Sequence, residues 1–367
     1  MSADRADDSL GLGSIATLTV RPIVAELSRP WGADVPSITV IEVTIGTSAG
    51  HTGYGFSWTP SIGAASVVGM LENDIRGFVI GRDADAPALW PGLWKHLHEA
   101  GSGGVTTIAM AGVDLALWDL RGRVAGRSLT ELIGAHRDSA EVYGSGVNLH
   151  YSLAELVAQA ERWVARGFNA VKVKVGKPDV AEDADRIAAV REVIGPDRRL
   201  MIDANQRWDL RLATEALDAL REFDPAWIEE PLLADDLPAH AELRRRIDIP
   251  IAIGENLHTI YRFRDAIDLG ACDIVQPNVV RVGGVTPFLG IAALAAERSI
   301  PLHPHLLPEI SGQLALSIDG ASASALVEDV EDASFEALGL LAEPSPVRIE
   351  GNRLFSTGRT GVGIRFA

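Results

Sequence analysis

The stretch Arg-Leu-Met-Ile-Asp-Ala-Asn, residues 199–205, runs from an apolar segment into a carboxylate and, two positions later, an amide. Arg199 to Ile202 reads as a short buried strand, with Asp203 and Asn205 where that strand meets solvent. Strand side chains share a face at every second residue, so both polar groups are expected to point the same way. An isolated pair of this kind reads as an Asx turn that ends a strand. The rest of the chain gives it a further meaning.

From about residue 141 strand-like and helix-like segments alternate. "EVYGSG" (141–146) precedes a helix with Ser152 and Glu155 as a capping box. Leu153, Leu156, Val157, Ala160, Trp163 and Val164 form its apolar face, and Gly167 is its stop. The pattern continues through "NAVKVKVG", "RLMIDAN", "AWIEEPL", "IPIAIGEN", "CDIVQPN", "IPLHPH" and "SALVEDV". One intervening helix opens with Thr286 as N-cap and Pro287 at its first position. Such alternation over eight strands predicts a parallel sheet closed into a barrel.

The polar strand ends recur in register. Lys174 to Asp203 is 29 residues, Asp203 to Glu229 is 26 and Glu229 to Glu255 is 26, with Asn278, His305 and Glu328 continuing the series. Each step matches one strand–helix unit of roughly 30 residues, and that end of a barrel carries the active site.

The first 135 residues read differently. "SITVIEVTIGTSAGHTGYGF" predicts an antiparallel hairpin, and "TIAMAGVDLALWDLRGRVAGRSLTELIG" one long helical stretch. The expected organisation is an α+β segment over the barrel mouth (1–135), the barrel (136–334) and a turn-rich tail returning to the N-terminal domain (335–367).

Composition narrows the function. Hydrophobic content is 47% over 367 residues, ample for a large core. No apolar run approaches a membrane span and the N-terminal MSADRADDSL is acidic, so a soluble, cytoplasmic protein is expected. Cys272 is the only cysteine, which excludes an internal disulfide. A net charge of −17 argues against nucleic acid and anionic membranes as partners. The glycine-rich "AGSGGVTT" (100–107) follows no strand and has no P-loop lysine, so it reads as a loop.

Asp203, Glu229 and Glu255 are carboxylates on three consecutive strands. Converging acids repel unless a cation neutralises them, and an all-oxygen set favours Mg²⁺. "IEEPL" offers Glu229 and Glu230, of which strand alternation admits one. Lys172 and Lys174 share the inward face of their strand, with Val171, Val173 and Val175 on the other. A neighbouring cation lowers a lysine pKa towards that of a general base, and Lys174 stands nearer the strand end. Across the barrel His303 and His305 share a face, His305 closer to the mouth and suited to acid/base work. A base facing a Mg²⁺ site suits abstraction of a proton next to a carboxylate, because the metal takes up charge on the developing enediolate.

At this point the chain resembles the enolase superfamily, in its mandelate racemase-like subgroup, over nearly its full length. The matching features, in order, are "AGVDLALWDLRGRVAGRSLTELIG", "VKVKVG", "MIDANQ", "WIEEP", "IGEN", "QPNVVRVGGVT" and "HPHLLPEIS". The resemblance implies an α/β fold, a modified TIM barrel (β/α)7β with an N-terminal α+β capping domain. It implies Mg²⁺ ligands at Asp203, Glu229 and Glu255, deciding against Glu230. It also implies a base at Lys174 tuned by Lys172, and an acid/base at His305. Asn205 is implied as a substrate or metal-shell contact, and Glu328 as a partner of the substrate carboxylate. Loops at about Val24–Val35 and Gly55–Ser61 would set specificity, and a homo-oligomer is expected. One departure stands out: the subgroup usually pairs the histidine with an aspartate, where "QPN" supplies Asn278. An amide orients imidazole without stabilising imidazolium, which weakens a two-base racemase and favours dehydration of a sugar acid. A racemase, epimerase or cycloisomerase on the same scaffold is the alternative, and a retired binding or structural protein a third.

Overall fold

The computed structural model describes residues 10–32, 35–60, 62–318 and 325–367. Three antiparallel strands open the chain, β1 (Ile15–Trp31), β2 (Val35–Thr47) and β3 (Thr52–Thr59). Five α-helices follow: α1 (Ala64–Gly69), α2 (Arg76–Val79), α3 (Ala86–Leu97), α4 (Val105–Ala125) and α5 (Leu129–Ile133). The expected hairpin is β2–β3. Helix α4 lies so close on β3 that a Cβ on Gly55 would come within 2.3 Å of the Ala116 nitrogen, which is why that strand carries glycine.

The stretch expected as one long helix is two. Gly126 takes a left-handed conformation (φ 66°) and ends α4, and Ser128 with Glu131 forms the capping box that opens α5. The break is legible in the sequence as Gly126 followed by Ser128-x-x-Glu131, a stop and a capping box that the long apolar run around them overshadows. The segments expected as specificity loops are largely strand, the end of β1 and most of β3; residues 33–34 and 61 lie outside the described residues.

The barrel then runs β4 (Ala140–Ser145), α6 (Leu153–Ala165), β5 (Ala170–Lys174), α7 (Val180–Ile194), β6 (Arg199–Asp203), α8 (Leu210–Leu220) and β7 (Pro225–Glu229). It continues with α9 (Leu237–Arg244), β8 (Ile251–Ile253), α10 (Ile260–Asp268), β9 (Ile274–Val275), α11 (Val285–Glu297), α12 (Pro308–Ser317) and β10 (Leu326–Val330). Strands β4 to β9 pair in parallel in chain order, and β10 pairs in parallel with β4. The expected seventh strand, "IPLHPH", contributes a single bridge from Leu302 to Val275. Two prolines in six residues remove the ladder donors that a longer strand needs. Inside, Tyr143, Ala170, Met201, Trp227, Ala252, Ile274 and Leu326 from successive strands form a separate apolar cluster.

Two local expectations fail. Leu153 is exposed, and Gln159 is buried on that face of α6 instead. Helix α11 begins at Val285 with Gly284 as N-cap, so Thr286 and Pro287 lie inside it. The free N–H of Thr286 donates to Asp114 Oδ2 of α4 at 3.0 Å, so a residue of the N-terminal domain does the capping that Thr286 was expected to do.

The tail makes a hairpin, β11 (Val347–Glu350) and β12 (Arg353–Ser356), and β12 adds antiparallel to β4. The chain then reaches the N-terminal domain, where Val362 N donates to Asp119 and Phe366 packs edge-on against Phe56. Among the described residues no helix is long and apolar enough to cross a membrane.

Candidate active site

Lys174, Asp203 and Glu229 are Cα partners across β5, β6 and β7, so the parallel register sets one ammonium and two carboxylates side by side at the strand C-termini. Lys174 Nζ is in contact with Asp203 Oδ2. One layer deeper, Lys172 Nζ lies 2.8 Å from Glu229 Oε2, 2.8 Å from Glu328 Oε1 and 3.5 Å from Asp203 Oδ2. Across the mouth His305 Nε2 is 2.6 Å from Glu255 Oε2 and 3.5 Å from Glu328 Oε2. All of these side chains are buried.

Burial opposes the charge on both lysines, yet the carboxylates around them hold both ammonium groups above the usual lysine range. The expected lowering of Lys174 by Lys172 is therefore outweighed by Asp203. Burial pushes Glu229 up to about 7; Lys172 pulls it down, and Asp203, Glu328 and Glu255 push it further up. Against its own burial penalty, Glu328 is held at about 2 by Lys172 and His305. Glu255 is likewise held well below the carboxylate range, by His305 and Arg281 against burial.

Asn278 fixes the histidine. Its Oδ1 accepts from the Val280 and Arg281 backbone N–H groups at 3.0 and 3.1 Å, so its Nδ2 is the atom facing His305 Nδ1, at 3.2 Å. A donor at Nδ1 leaves the ring proton on Nε2, towards the site. The nearby carboxylates, Glu255 first, favour a second proton on the ring and raise its pKa despite burial; an NH₂ group facing Nδ1 opposes that proton. The carboxylate contact is at Nε2, which a single proton already satisfies, whereas a second proton on Nδ1 would point into the Asn278 NH₂ group. His303 is not part of the mouth. It stacks on Trp227 (5.4 Å), its Nδ1 accepts from Leu326 N, and burial lowers its pKa to about 4.

Asn205 sits beyond the strand end with φ 44°, and its N–H donates to Asp203 Oδ1 at 2.9 Å. The Asx turn is real and occupies Oδ1 of Asp203, leaving Oδ2 to face Lys174 Nζ. Sequence reasoning missed Gln276, whose Nε2 donates to Glu229 Oε2 at 3.0 Å, and Asn148, whose Oδ1 accepts from Lys174 N at 2.9 Å. Gln276 was findable: it stands two residues before Asn278 on the same strand end. Sequence reasoning set Glu230 aside as a ligand and gave it no other role, and it missed Asn256 and Arg281; the three connect behind Glu255.

The donor set fits a divalent cation. The four carboxylates of Asp203, Glu229, Glu255 and Glu328 crowd about two lysines, and Arg281 behind Glu255 is matched by Glu230, so negative charge is in excess when His305 is neutral. Glu229, Glu255 and His305 each offer a ligand atom within 4.8 Å of the others. A nitrogen that bears a proton is no ligand, so Asp203, in register with Glu229, is the better third donor, and the resulting oxygen set suits Mg²⁺.

A parallel barrel with this polar constellation at its strand C-termini defines an enzyme of the barrel class that works on small ligands. Residues 24–134 match the mandelate racemase / muconate lactonizing enzyme N-terminal domain, and residues 155–367 the enolase C-terminal domain-like family. The chain belongs to the mandelate racemase/muconate lactonizing enzyme family of the enolase superfamily. It is 41% identical over 285 residues to the 3,6-anhydro-alpha-L-galactonate cycloisomerase of Streptomyces coelicolor, covering 77% of this chain and 79% of that protein. A racemase from Streptomyces coelicolor A3(2), solved with bound magnesium, superposes with a TM-score of 0.89 at 35% identity, covering 96% and 97% of the two chains. The L-talarate dehydratase from Polaromonas sp. JS666, solved with Mg and L-glucarate, superposes at 0.85 with 34% identity, covering 96% and 95%.

Proposed function

We propose that the chain is a Mg²⁺-dependent sugar-acid dehydratase, removing the proton α to the carboxylate of an aldonate or aldarate and then the β-oxygen. The observation that carries this is the placement of Lys174 and His305 on opposite sides of one carboxylate cluster. Mg²⁺ held by Asp203, Glu229 and Glu255 would bind the substrate carboxylate and stabilise the enediolate. In the structure Asp203 holds Lys174 as an ammonium; with Asp203 engaged by the cation that hold would be relieved, and Lys174 Nζ as free amine would take the α-proton, while Lys172 beneath it adds positive charge beside the enediolate. His305 carries its proton on Nε2, towards the site, and gives it to the departing β-oxygen. The C–O bond breaks as the electron pair of the enediolate forms the new double bond, and the enol product tautomerises to a 2-keto-3-deoxy acid. Glu328 and Asn205 would contact the substrate.

A second reading is favoured by the 41% identity to a cycloisomerase. In a 3,6-anhydro sugar acid the β-oxygen belongs to a ring ether, so the same elimination opens the ring and releases no water. Both chemistries need one base and one acid, which is what the Lys174 and His305 geometry offers. A retired binding protein gains nothing from gathering four acids against two lysines.

Proton NMR in D₂O with Mg²⁺ and a panel of aldonic, aldaric and 3,6-anhydro acids tests this. Formation of a 2-keto-3-deoxy acid is expected. If no acid in the panel is converted or exchanges its α-proton while Mg²⁺ binds, the reading fails.

A further inference from the structure

Glu230 is unusual twice over. It is fully buried, and its backbone takes φ 36°, a left-handed conformation that costs a non-glycine residue on the order of 1 kcal/mol or more. The strand period predicts that Glu230 turns away from Glu229 to the outer face of the barrel. The positive φ instead swings its carboxylate towards the end of β8. There Oε1 accepts from Asn256 N at 3.2 Å and Oε2 from Asn256 Nδ2 at 2.6 Å.

The same Asn256 Nδ2 also donates to Glu255 Oε1, at 3.0 Å. One amide nitrogen thus joins the two glutamates. The other end of the amide, Oδ1, accepts from Arg281 Nη1, which also donates to the Glu255 carbonyl at 3.2 Å. The Arg281 backbone N–H is in turn held by Asn278, the partner of His305. A continuous chain of hydrogen bonds therefore runs from Glu230 through Asn256 and Arg281 to Asn278.

We infer that Glu230, acting through Asn256, is a positioning residue that fixes the rotamer of Glu255 for the cation, with Arg281 as the opposing anchor. This rests on the Mg²⁺ reading above. Asn256 uses both hydrogens of its amide to hold two carboxylates, and Glu230 uses both oxygens on Asn256 alone. Without Glu230 the amide is free to rotate and Glu255 loses a fixed direction. Partners that orient a metal ligand commonly change affinity by about 10–100-fold.

Glu230→Gln is the test, because it keeps size and burial but sets an NH₂ group against a donor. Arg281→Lys is the second variant, keeping charge and losing the second hydrogen bond. Titration calorimetry with MgCl₂ is run on the full-length wild type, both variants and Asp203→Asn. Expected are Mg²⁺ affinity weakened about 10-fold or more in Glu230→Gln, a smaller loss in Arg281→Lys, and turnover that recovers as Mg²⁺ is raised. A merely structural role would lower the melting temperature and leave Mg²⁺ affinity unchanged, and that result in either variant overturns the inference while the Mg²⁺ reading stands. A wild type that binds no Mg²⁺, or an Asp203→Asn that binds it as well as wild type, overturns the Mg²⁺ reading itself. Should Glu230→Gln fail to fold, the affinity of Arg281→Lys alone decides.

Discussion

Asn278 donates its side-chain amide to Nδ1 of His305 at 3.2 Å, with its carbonyl oxygen occupied by two backbone N–H groups. The histidine is thereby set as a donor towards the site and closed as a base. Asn278→Asp reverses this: a carboxylate accepts from Nδ1, frees Nε2 and favours imidazolium. The variant is expected to wash deuterium into the α-position from the His305 face, giving epimerised substrate in D₂O. An unchanged stereochemical outcome would falsify the tautomer assignment.

Lys174 is the sole base on its face of the proposed reaction. Lys174→Met is expected to lose turnover by about 10²-fold to 10⁴-fold or more, the range for a positioned general base. Far-ultraviolet circular dichroism should stay native. Activity within tenfold of wild type in a folded variant rules out the role.

Metal removal should be felt in stability as well as rate. A cation bound by the folded chain alone stabilises it by about 2.7 kcal/mol at a hundred times its dissociation constant. Treatment with EDTA is expected to abolish turnover and lower the melting temperature, and excess Mg²⁺ to restore both. Asp203→Asn should show little response to either. A wild-type melting curve indifferent to Mg²⁺ counts against the site.

Burial pushes Asp114 up to about 7, although its bonds to Thr286 and Val285 at the start of α11 favour the charged form. A carboxyl raised in the folded state holds its proton more tightly there than in the unfolded chain. Its contribution to stability is therefore full below the unfolded pKa of 3.8 and declines as pH rises towards 7. The slope is at most about 1.4 kcal/mol per pH unit. Asp114→Asn keeps an acceptor for Thr286 and cannot ionise, so its melting temperature should fall less between pH 5 and 7 than that of wild type. Parallel profiles for the two proteins would remove Asp114 from the account.

The sequence by itself determined the barrel, because period-two strands, period-3.6 helices and polar residues at steps near one strand–helix unit are properties of a single chain read in order. It determined which residues crowd the mouth for the same reason: Lys174, Asp203 and Glu229 fall in one row once parallel pairing is granted. The tertiary structure alone decided the rest, because those features depend on partners far apart in the chain or on backbone that leaves the strand. The cap of α11 comes from Asp114, 172 positions away, so local capping rules chose Thr286 instead. Glu230 turns towards Glu255 because its φ is positive, and strand alternation, which assigned it the outer face, stops applying at that residue. The protonated nitrogen of His305 likewise follows from two backbone N–H groups that claim the Asn278 oxygen, a constraint that exists only when the chain is folded.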